Sequence, residues 1–89
     1  MATLSLETLQ QDRLAMSVAQ AVSVANDAAL RHGTDPANSS VTITEHGSLA
    51  ARIWRVHYGP RDYVGRRGGD LIVGVDEQAG TVQEVIRGQ

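Results

Sequence analysis

The chain has 89 residues, a formal net charge of −2, no Cys and no Phe. That length suits a single domain over residues 1–89 with a small core, and the missing Cys excludes disulfides and thiolate metal sites. The weak charge argues against nucleic acid as a partner, and no apolar run approaches the ~20 residues of a membrane span.

The basic residues are all Arg. Residues 1–45 hold two Arg and five acids, and residues 46–89 hold six Arg and five acids. Arg offers rigid, bidentate donors for a binding surface, although genomic base composition produces the same bias. With Trp54, Tyr58 and Tyr63 as the aromatics, the core must come from Leu, Ile, Val and Ala. A core this thin is one that dimerisation would thicken. The first ten residues lack the basic and apolar regions of a secretory signal, so the expected location is cytoplasmic.

The first element is a helix from about Leu6 to His32. Leu14, Val18, Ala21, Val22, Ala25, Ala28 and Ala29 recur at three- and four-residue steps, one apolar stripe of a helix. Ser5 is placed to cap it, with Glu7 in the first turn and Leu4 positioned to staple onto Leu9. Arg31 and His32 fall in the last turn, and Gly33 suits a left-handed stop. A continuous helix of that length would run about 40 Å, longer than so small a domain is wide. Either a break falls within Gln10-Gln11-Asp12-Arg13 or the first turns project outward.

Asp35-Pro36 and Asn38-Ser39 carry turn chemistry. Strand one is Ser40–His46, with Val41 and Ile43 alternating with Thr42 and Thr44. Strand two is Leu49–Tyr58. Trp54, Val56 and Tyr58 share one face, and Arg55 and His57 the other. Leu49, Ala51 and Ile53 join the Arg55 side unless a bulge near Arg52 or Ile53 moves them. Strand three is Asp70–Asp76, with Leu71, Val73 and Val75 in phase. Glu77–Gly80 forms a short hairpin link in which Gly80 suits positive φ. Strand four is Thr81–Arg87, with Val82 and Ile86 on one face and Val85 on the other. Hairpin-sized links make the strands antiparallel, and the helix supplies a cover for the apolar face. The expected fold is α+β: a long N-terminal helix packed on a four-stranded antiparallel sheet.

The search for chemistry yields little. His32, His46 and His57 have no HExxH-type spacing, and a zinc site would need all three to converge or carboxylates to help. The serines lack a nucleophile-elbow pattern. Asp76 and Glu77 flank a hairpin, where acids serve turns and solvent. No enzyme, metal or cofactor is expected. Arg52, Arg55, Arg61, Arg66 and Arg67 could form a basic stripe, but single-strand binders also need exposed aromatics, and Trp54 and Tyr58 are committed to the sheet. The segment Gly59–Gly69 lacks the Lys-Ser/Thr of a phosphate loop. It offers instead a patch of Arg61, Asp62, Tyr63, Arg66 and Arg67 that could grip a carboxylate-rich protein surface. Its bland reading is a solvated hairpin loop.

The second half carries Trp54-Arg55-Val56-His57-Tyr58, then Gly68-Gly69-Asp70-Leu71-Ile72-Val73-Gly74-Val75-Asp76, then Gly80-Thr81-Val82-Gln83-Glu84-Val85. This resembles PepSY-like domains, whose strands read roughly W-x-V, V-x-V-D, a Gly turn and V. It also resembles NTF2-fold, cystatin-like immunity proteins, with the Ala19–Ala29 helix first and a final hairpin closing on Gly88-Gln89. The first resemblance implies restraint of a peptidase, the second neutralisation of a toxin. The chain is shorter than most such immunity proteins, and its first residues do not read as the export signal usual for PepSY-like domains. Both imply a non-catalytic protein-binding or inhibitor module. A structural subunit that homodimerises and a small enzyme or ligand carrier with a helix–sheet cleft are the alternatives.

Overall fold

The computed structural model describes residues 6, 11–48, 50–60 and 70–88. Helix α1 spans Arg13–Arg31, and a four-stranded antiparallel sheet follows in the order β1 (Ser39–Gly47), β2 (Arg52–Pro60), β3 (Leu71–Asp76) and β4 (Thr81–Arg87). A short 3-10 turn at Pro36–Asn38 connects helix to sheet. The α+β fold read from the sequence is the fold of the protein.

The helix differs from a single run over 6–32. Asp12 interrupts it, and its carboxylate accepts the Ala15 N–H at 2.9 Å as the N-cap of α1. An extended Asp at this position satisfies a backbone donor that the first turn would leave orphaned. Ser5, Glu7, Leu4 and Leu9 lie outside the described residues. At the other end Gly33 takes φ +79. Thr34 N–H donates to Ala29 O and Gly33 N–H to Leu30 O, the paired bonds of a Schellman stop.

The core is the layer between α1 and one sheet face. Ala21, Ala25, Ala28 and Ala29 press against Trp54, Val56, Tyr58, Leu71, Val73 and Val75, with Val18, Val24 and Val85 at the margin. Four alanines on one stripe let the helix lie close to the strands. Leu14, expected on that stripe, is exposed instead.

Two details of the sheet depart from simple alternation. Ile53 keeps phase with Arg55, so no bulge falls at the start of β2, which begins at Arg52 rather than Leu49. The irregularity lies in the last hairpin, where the register shifts between Gly74 and Val75. Val82 pairs with Val75 and Val85 with Val73, so the extra residue brings Val82 and Val85 onto the core face, while Ile86 pairs with Ile72 on the other. The expected grouping of Val82 with Ile86 is therefore corrected.

Candidate functional site

The residues expected to bind a partner, Arg61, Asp62, Tyr63, Arg66 and Arg67, lie outside the described residues. The site is therefore built from the groups that the fold brings together elsewhere, beginning with its polar clusters.

On the helix side, Arg52 and Glu77 meet at the edge of the core. Glu77 Oε1 accepts the Trp54 indole N–H at 3.0 Å and faces Arg52 Nη1 at 3.3 Å. Arg52 Nε lies 2.8 Å from Glu45 Oε2, close enough for an ion pair but off the axis of a hydrogen bond, and its guanidinium sits 5.6 Å from the Trp54 ring centre. The Trp54 donor foremost, then Ser17 and Arg52, holds the Glu77 carboxyl below its ordinary range against partial desolvation. This cluster pins the Trp54 ring and leaves no reactive group over. Asp76 accepts Gln78 and Ala79 N–H groups and shapes the turn.

On the opposite sheet face, Arg55 reaches Glu84 across β3 at 3.1 Å. Gly74 lies between them in register, and a Cβ there would stand 2.8 Å from Glu84 Cγ. The glycine is the notch that lets this pair bridge two strands. His57 faces Asp70 at 3.1 Å, and His46 pairs with Thr44 at 3.0 Å. No three His, Asp or Glu groups among the described residues approach as a metal set. Arg52 and Arg55 lie on opposite faces and are both ion-paired, so they do not form one basic stripe.

The uncommitted surface is apolar. Helix α1 lies over β3 and reaches β2 and β4, leaving β1 outside its footprint. On the helix side of β1, Ser39 is buried, but Val41 and Ile43 are only partly covered, 41% and 36% exposed. Between α1 and β1 runs a groove of about 520 Å³, mainly apolar, lined by Val22, Leu30, Pro36, Ala37 and Val41 with Asn26 and Asp35 as its polar members. Leu30, 61% exposed, overhangs it from the last turns of the helix. Beneath, the Tyr58 hydroxyl donates to Asn26 Oδ1 at 2.6 Å, and burial pushes its pKa up to about 12. Asn26 thus ties the groove wall to the core.

Compared with protein-family models, curated proteins and solved structures, the chain matches none of them.

The backbone adds a second element to this surface. Ala51 N–H bonds Ser48 O, and Glu77 N–H bonds Arg52 O. These fix the alternation of an antiparallel ladder. Even-numbered residues of β1 bond to β2, and Val41, Ile43 and Glu45 direct their N–H and C=O groups outward. Among the described residues no strand pairs with that edge.

Periodicity could not reveal this site. Val41 and Ile43 alternate as core residues do, and only the landing position of α1 leaves them uncovered. No described helix is long and apolar enough to cross a membrane.

Proposed function

We propose that the chain is a non-catalytic protein-binding module whose contact surface is the outer edge of β1 with the groove beside it. The observation that carries this reading is the partly exposed pair Val41 and Ile43, next to backbone groups that no strand among the described residues pairs, and the exposed Leu30. A strand edge with an apolar flank binds by adding main-chain hydrogen bonds and seating alternate side chains. The finer form of the proposal is an inhibitor that acts by occlusion, restraining a peptidase or neutralising a toxin, as the resemblances imply. The Arg61, Asp62, Tyr63, Arg66 and Arg67 segment, which follows β2 in sequence, is the second candidate contact.

The test is affinity capture from native extract with three baits: the parent chain, Ile43→Lys, and a triple variant with Arg61, Arg66 and Arg67 changed to Ala. Loss of a specific protein with Ile43→Lys supports the β1 surface. Its undiminished recovery with that variant, alongside loss with the triple variant, would move the site to the loop.

A further inference from the structure

We infer that the partner seated on the β1 edge is a second copy of this chain, paired antiparallel through β1 about a two-fold axis at Thr42. The inference rests on the protein-binding reading and names the partner of that same surface, in place of the inhibitor form: a β1 edge paired with its own copy is not free to occlude a peptidase or toxin.

Three observations carry it. First, the two edges of the sheet are unequal. The β4 edge is interrupted by the register shift opposite Gly74 and Val75 and carries Glu84 and Arg87. The β1 edge is regular over its full pairing with β2, contains no Pro, and carries its ionisable groups, Glu45 and His46, only at its far end. Edges that remain unpaired in solution are ordinarily blunted by bulges, charge or Pro. The β4 edge has such a bulge, and the central residues 40–44 of β1 have neither bulge, charge nor Pro.

Second, no charge opposes the pairing of β1 with itself. Ser40-Val41-Thr42-Ile43-Thr44 has no ionisable group. An axis at Thr42 sets Val41 against the partner's Ile43 on the helix side and Thr44 against the partner's Ser40 on the other. Glu45, the nearest charge, is already tied to Arg52 within its own copy and lies away from the axis. No like charges meet across the contact.

Third, the ladder phase fits. Val41 and Ile43 present outward N–H and C=O groups, so they form the hydrogen-bonded pairs of the new ladder, and Thr42 meets its own copy in a non-bonded pair. Cα atoms in such a pair stand about 4.5 Å apart. The helices, each over its own β3, stay about five strand spacings or ~24 Å apart. The contact is therefore strand to strand. It joins two four-stranded sheets into one of eight strands, isologous as a two-fold interface requires.

The absence of cysteine makes a clean test. Sedimentation equilibrium on the purified full chain should show a monomer–dimer equilibrium. Ile43→Lys, which places like charges beside the axis, should raise the dissociation constant about tenfold or more. Ile86→Lys, an exposed apolar position on the other sheet face, should not. Under mild oxidant Thr42→Cys should form a disulfide-linked dimer far faster than Thr44→Cys, whose Cα atoms would lie about 14 Å apart, beyond disulfide reach. A parent that stays monomeric into the millimolar range overturns the self-pairing. So does a dimer indifferent to Ile43→Lys, or equal cross-linking of the two cysteine variants. If the parent is monomeric yet Ile43→Lys still abolishes capture of another protein, the self-pairing falls and the binding reading stands.

Discussion

Trp54 and Tyr58 are core residues with polar tips, and each tip is satisfied by a residue distant in sequence. The indole N–H goes to Glu77 and the phenol to Asn26. Trp54→Ala removes the largest buried ring and should cost about 3–5 kcal/mol in urea unfolding. The Glu77 carboxyl is held below its ordinary value of 4.5, chiefly by the indole donor. Its stabilisation is therefore present above that value and lost as pH falls through the lower folded-state value. The urea midpoint should drop on acidification below pH 4.5, and Glu77→Gln should lack that part of the slope. Tyr58 runs the other way. Its pKa is raised from 10.0 to about 12, so its contribution is whole below pH 10 and fades as pH rises through about 12. An alkaline absorbance titration should show one tyrosine ionising late, with unfolding. Trp54 could be named as an anchor from the sequence, because it sits in phase with Val56 and Tyr58. Its partner Glu77 could not, because it lies 23 residues away on a turn that reads as solvent-facing.

At the scale of elements, the alanine stripe and the two-residue alternation of the strands made helix, sheet and their order legible. Both are periodic signals that survive without tertiary context. What alternation could not convey was the bulge that regroups Val82 with Val85, or the strand on which the helix lands. The close fit of α1 makes a firm prediction. Ala25→Leu inserts bulk where the helix touches the sheet with nothing exposed, and should destabilise by about 1–3 kcal/mol by thermal or urea unfolding. The β1–β2 hairpin is equally constrained. Gly47 holds φ +86, and a Cβ there would collide with the Ala51 carbonyl oxygen. Gly47→Ala should cost about 1–3 kcal/mol, whereas Gly80→Ala, also at positive φ but with open space around it, should cost less, from backbone strain alone.

For the whole molecule, the helix and sheet make an asymmetric pair of layers. β3 is sandwiched between β2 and β4 and covered by α1, while β1 is held by β2 on one side only. Burial is graded accordingly, from a core strand at β3 to a strand at β1 whose residues 40–45 are all exposed. The candidate site sits at the weak end of that gradient. For this reason it was not legible as a motif: it is defined by missing cover, not by any residue type.

That gradient has a kinetic signature. Amide protons should leave the sheet in order of cover, from β1 first to β3 last. Within β1 an isolated copy should show a two-beat pattern, with Thr42 and Thr44 slowed by β2 and the amides of Val41 and Ile43 exchanging as freely as in open chain. If deuterium uptake at Val41 and Ile43 slows as protein concentration rises, while Thr42 changes little, the strand has acquired a neighbour on its outer side.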